Sequence, residues 1–141
     1  MLTEKDYCDY ETCVALKELG YKEPTSAYYM PNNNQLIFVS NPSRGGYVID
    51  CFYSHNSLRE GVVTSNYIDA PTIWEAQRWL REERGIYINV KIFPLKCQWE
   101  ISFERENGNI VTSYGDFYDT VNWYIMFNDC IKEAIKILSI C

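Results

Sequence analysis

The chain reads as an α+β protein, with about three helices packed on an antiparallel sheet in the order α-β-β-β-α-β-β-β-α. Three observations predict this. Two segments carry apolar residues at helical spacing and each ends at a glycine. Short β-branched and aromatic runs lie between turn residues, and one long run alternates strictly. The last segment is apolar over more than half of a helical circumference.

The first helix is predicted to start after Asp9, whose carboxylate can accept from the free amides of the first turn, and to end at Gly20. Cys13, Leu16 and Leu19 recur along its apolar side. Strands are expected in "SAYYM" (26–30), "QLIFVS" (35–40) and "YVIDCFY" (47–53), joined by "PNNN" and "NPSRGG". Pro fixes φ in such turns, whereas Asn and Gly tolerate positive φ. Residues 54–69 read as loop, with room for one more strand near Val62 and Val63.

The second helix follows in "APTIWEAQRWLREERGIYINV" (70–90), where Thr72 and Glu75 have capping-box spacing and Gly85 is the stop. Ile73, Ala76, Gln77 and Leu80 make its core side, and Trp74, Arg78 and Arg81 a second stripe. Ile86, Ile88, Val90 and Ile92 alternate with polar and aromatic residues, as do Trp99, Ile101 and Phe103, and "NGN" (107–109) supplies a hairpin turn into "IVTSY". The last helix is expected from about Thr120. One stripe is Tyr124, Phe127, Ile131, Ala134 and Leu138; the other is Trp123, Met126, Cys130, Ile137 and Cys141. A helix apolar on two faces needs cover on both, from the same chain or from a second subunit. Trp123, Met126 and Ile137 are therefore the candidate interface residues of a homo-oligomer.

The 141 residues read as a single globular domain spanning 1–141, of which 23% are charged and 16% aromatic. The formal charge of −6 has no basic block within it, which argues against general nucleic-acid binding through phosphate neutralisation. The polar, acidic start "MLTEKDYCDYE" lacks the apolar core of a secretory signal, and no apolar run is long enough to span a bilayer. No membrane association and a cytoplasmic location are expected. The six cysteines contain no C-x-x-C pair and read as reduced thiols.

No motif specifies a reaction. His55 is the only histidine, so neither a metal site nor a cofactor is expected. A Cys–His pair or a Ser-His-acid triad would have to use His55, in a segment with no nucleophile elbow. Gly45 and Gly46 can expose amides as an anion nest beside Arg44, yet "SNPSRGGY" lacks the P-loop spacing and suits a plain turn. Trp74, Arg78 and Arg81 have two readings. They cover the helix surface, with Glu75 and Glu82 pairing with Arg78; or they stack a planar ring and hold phosphate, together with Arg44 and Arg59.

Two blocks carry a resemblance: "ETCVALKELGYKEP", and "APTIWEAQRWLREERGIYINV" followed by strands and a helix opening "DT". They resemble an abundant family of small proteins, with no chemistry assigned to it, encoded by phages and prophages of gut Bacteroidales. Its members share a "K-x-x-G-[FY]-x-E-P" helix end and an "APT…A…WLRE…I-x-I" block. The last helix here is more apolar than the family pattern. The second half also resembles the α-β-β-β-α order of double-stranded RNA-binding domains, although "FYDTVNW" stands where those carry lysines for phosphate contact. The resemblance implies a phage accessory protein in the host cytoplasm. Such a protein acts without catalysis by binding a host protein, of defence for example. The alternative is an oligomeric sponge for a small nucleotide signal; a small nucleotide hydrolase and a virion component rank below it.

Overall fold

A computed structural model describes residues 2–30, 34–38 and 67–140. Within them the helices and strands follow the expected order: α1 (Tyr10–Leu19), β1 (Ala27–Tyr29), β2 (Leu36–Phe38), β3 (Ile68–Asp69), α2 (Ile73–Arg84), β4 (Ile86–Phe93), β5 (Lys96–Glu104), β6 (Ile110–Asp119) and α3 (Trp123–Ile140). The strands form two antiparallel three-stranded sheets where one sheet was expected, in the orders β2-β1-β3 and β4-β5-β6. By internal contact the chain divides into two compact units, Met1–Thr72 and Ile73–Cys141.

In the first unit, the Asp9 carboxylate accepts from the Thr12 amide at 2.8 Å and starts α1. Gly20 ends it in the left-handed region (φ 110°), its amide bonding back to the carbonyls of Leu16 and Lys17. Asn34, with φ 54°, closes the β1–β2 turn through Asn34 N–H to the Met30 carbonyl. Cys8, Cys13, Leu16, Ala27 and Ala70 are fully buried, and the Tyr29 hydroxyl donates to the Cys8 carbonyl at 2.8 Å. The third strand of this sheet is Ile68–Asp69, in a segment the pattern assigns to loop. Two residues are too few to show alternation. The strand expected at 47–53 and the one near Val62 lie outside the described residues.

In the second unit, α2 begins directly after Thr72 and ends at Gly85 (φ 68°). Ile73, Ala76, Trp79 and Leu80 are buried, while Gln77, expected on the core side, is half-buried. Strands β4 and β5 pair in continuous register from Ile86↔Phe103 to Phe93↔Lys96. The Asn107–Asn109 turn forms as expected, with Gly108 at φ 86°. Strand β6 runs five residues beyond the predicted "IVTSY", past an irregularity opposite Gln98 and Glu100. Gly115 sits there against Trp99: a Cβ on it would lie 2.0 Å from Trp99 Cε2.

Helix α3 packs on β5, β6 and α2. Its two apolar stripes merge into one broad buried face of Met126, Phe127, Cys130, Ile131, Ala134 and Ile135. The Tyr118 hydroxyl on β6 donates to Asp129 Oδ2 on α3 at 2.6 Å, tying strand to helix. Buried residues Cys97, Trp99 and Ile101 define the covered side of the sheet. The alternation of β4 holds from Ile86 to Val90 and then fails: Ile92 is 77% exposed, although Cys97 opposite it on β5 is buried.

Candidate binding surfaces

Two features of the second unit stand out among the described residues. The first is the open side of its sheet. Alternation in β4 sends Tyr87, Lys91 and Phe93 away from the helices, and register brings Gln98 and Glu100 of β5 beside them. The irregularity in β6 sets Tyr114 opposite Glu100 and Phe117 opposite Gln98, on that same side. Tyr87 (53% exposed), Phe93 (38%), Tyr114 (55%) and Phe117 (54%) thus present four aromatic rings to solvent. Lys96 Nζ lies 4.3 Å from the Phe117 ring centroid and Lys91 Nζ 4.8 Å from that of Tyr114. Lys91 also pairs with Glu100 at 3.7 Å. The hairpin tip adds Leu95, 86% exposed and held at φ 66°, a region that bulky side chains rarely adopt.

The second feature is a three-ring cluster on the helices. The indoles of Trp74 (α2) and Trp123 (first residue of α3) lie nearly parallel, 13° apart in plane, with centroids 6.3 Å apart. Phe127, one turn further along α3, stands edge-on to both, at 5.2 Å from Trp74 and 6.3 Å from Trp123. Trp74 is 49% exposed, Trp123 half-buried and Phe127 buried. Trp74 is therefore the exposed member of a packed aromatic cluster.

Of the sequence-predicted residues, Trp74, Arg78 and Arg81 keep the exposed stripe of α2. The expected Arg78 pairing with Glu75 and Glu82 is not formed, and among the described residues neither Arg78 nor Arg81 lies over Trp74. The indole has exchanged a guanidinium cover for two aromatic partners, whereas Arg84 takes Trp79, at 5.6 Å. Arg44, Gly45, Gly46, Arg59 and His55 lie outside the described residues. Met126, read as an interface residue, is fully buried within the chain, so it offers no surface to a second subunit. Its stripe lies beside the sheet-facing one, and both fit one wide packed face. Trp123 and Ile137 are half-buried. The open sheet side was missed, although the outward positions of the β4 alternation, Tyr87 and Phe93, already carried its signal.

Among the described residues the four cysteines are buried free thiols. Burial pushes Cys13 well above the ordinary thiol range, and the neighbouring Cys8 adds to the effect. Burial also raises Cys130, reinforced by Glu133 and Asp129, and raises Cys97, with Asp119 contributing. Among the described residues no group of three His, Cys, Asp or Glu side chains is placed to hold a metal ion. No helix there is long and apolar enough to cross a membrane. Compared with known proteins, the chain matches no family model, no curated protein and no solved structure.

Proposed function

We propose that the protein acts by binding a protein partner, without catalysis, through the open side of the β4–β5–β6 sheet. The observation that carries this reading is the row of exposed aromatic residues, Tyr87, Phe93, Tyr114 and Phe117, flanked by Lys91 and Lys96. Rigid aromatic area with few rotatable bonds is what anchors protein interfaces, and lysine stems lying across rings leave charge at the rim for orientation. In the phage setting implied by the sequence resemblance, the proposed partner is a host protein in the cytoplasm, a defence protein among them. The test is capture from host lysate with the native chain and with a Tyr114→Ala/Phe117→Ala variant whose fold is checked by circular dichroism. A partner retained by the native chain should be lost by the variant. Equal retention by both would remove the sheet from the account.

A second reading, the nucleotide sponge, draws on a different observation. Arg78 and Arg81 are exposed and without ion pairs among the described residues, on the same stripe as exposed Trp74. Guanidinium forks suit phosphate, and the indole suits a base. Nucleotides incubated with the protein and released by heating come back intact from a sponge and altered from a hydrolase.

A further inference from the structure

We propose that two copies of the chain pair through the outer edge of β4, antiparallel and two-fold symmetric about Asn89, joining their three-stranded sheets into one. The inference goes beyond the partner reading of the open sheet side and does not rest on it.

Of the described edge strands, β4 is the one fit for such pairing. Strands β2 and β3, the edges of the first sheet, are three and two residues long. Strand β6 carries the irregularity opposite Gln98 and Glu100, and a bulged edge presents no even row of amides and carbonyls. Strand β4 has eight residues, neither proline nor glycine among them, and unbroken register with β5. Among the described residues no strand lies on its other side. A lysine is a common guard of such an edge. Lys91 does not guard this one: its ammonium leans inward across the sheet, 3.7 Å from Glu100 on β5 and 4.8 Å from the centroid of the Tyr114 ring on β6.

The side chains of β4 point to a second β4 as the occupant. On the helix-covered side exposure climbs along the strand. Ile86 is 1% exposed, Ile88 and Val90 are half-buried, and Ile92 is 77% exposed. Reversal about Asn89 sets Ile92 of each copy opposite Ile86 of the other, and Ile88 opposite Val90. The uncovered end of one strand thus meets the covered end of its mate, where α2 passes through Gly85 into β4. On the open side Tyr87 falls opposite the apolar stem of Lys91, and Asn89 opposite Asn89.

Neighbouring registers fit less well. Side chains keep to their own side of the sheet only if the register moves in steps that preserve the alternation. Centring the pair on Val90 brings the two Lys91 side chains diagonally together, a like-charge contact. Centring it on Ile88 sets Ile92 opposite Arg84, the last residue of α2, and leaves it without a strand neighbour. Asn89 is the centre that covers Ile92 and keeps the lysines apart.

The experiment follows the full chain by sedimentation equilibrium from about 1 to 300 µM, since an interface this small associates weakly. Reversible dimerisation with a micromolar dissociation constant is expected. Ile92→Lys should keep the native circular dichroism, because the position is exposed in the single chain, and should weaken the dimer at least about tenfold. Ile110→Lys, at a position 73% exposed at the start of β6, should leave the dimer unchanged. Asn89→Cys should cross-link under diamide, because facing Cα atoms about 4.5–5.5 Å apart lie within disulfide reach. Tyr87→Cys should cross-link no more than the native chain, its two copies being offset by about 13 Å along the strands. A chain that stays monomeric throughout the range, a dimer untouched by Ile92→Lys or equally weakened by Ile110→Lys, or equal cross-linking of the two cysteine variants would each overturn the proposal. None of these results bears on Tyr114 or Phe117, so the partner reading is tested separately.

Discussion

Gly85 and Gly115 are both required, for opposite reasons. At Gly85 a Cβ would meet nothing within 4 Å, but the backbone sits at φ 68°. The left-handed conformation costs an L-residue about 1–2 kcal/mol. At Gly115 the obstacle is contact: the Cβ would fall 2.0 Å from Trp99 Cε2 and 2.2 Å from its Nε1. Trp99 is buried and cannot swing into solvent, so the strand or the ring must shift. Gly115→Ala is expected to cost about 1–3 kcal/mol, at the upper end of that range. Gly85→Ala should cost about 1 kcal/mol. Urea unfolding measures both, and fluorescence separates the causes. Displacing Trp99 changes the native emission of Gly115→Ala, whereas Gly85→Ala keeps the native spectrum.

At the scale of elements, the tie between β6 and α3 makes a prediction with a pH signature. Tyr118 donates to Asp129 at 2.6 Å, and burial, aided by that bond and by the carboxylate's charge, raises its phenol above the ordinary value of about 10. Removing the hydroxyl in Tyr118→Phe should cost about 1–2 kcal/mol at neutral pH, as expected for a part-buried bond to a charged acceptor. The folded chain holds the phenolic proton more tightly than the unfolded one. That stabilisation is complete below pH ~10 and is lost as pH rises toward the folded value. The advantage of the native chain over Tyr118→Phe should therefore shrink above pH 10, as read by paired denaturation curves. A constant difference across that range would mean the bond is not formed.

The elements also show what a single chain reveals before it is folded. Asp9, Gly20, Gly85 and the Asn107–Asn109 turn act within a few residues of themselves, and each stands at the boundary its chemistry indicates. The end of β6 was hidden, because Gly115 and the irregularity opposite Gln98 break the alternation that would have carried the strand to Asp119. The partition into two sheets was hidden as well. It depends on which strands find each other, and β3 is only two residues long. The exposure of Trp74 was legible from helical spacing. Its stacking on Trp123, 49 positions away, is a tertiary fact that no local pattern encodes.

For the molecule as a whole, the disposition of its cysteines bears on how it works. Four of the six, Cys8, Cys13, Cys97 and Cys130, are free thiols and almost completely buried. Three of these, Cys13, Cys97 and Cys130, are raised by burial, which disfavours the thiolate that nucleophilic attack requires. They behave as small apolar side chains filling the interior of both units. The native chain should therefore react promptly with no more than two equivalents of a thiol reagent such as dithionitrobenzoate, from Cys51 and Cys141, and the unfolded chain with six. Each of the four buried thiols should become reactive only at the rate at which its surroundings open. Prompt reaction of a third equivalent under native conditions would mean that one of these four thiols is accessible. With these four thiols shut in the interior, the chemically distinctive surface among the described residues is aromatic and cationic. Such a surface gains its free energy from contact, by desolvating rings and placing charge at their rims, which is the physical basis of the binding role proposed for the sheet.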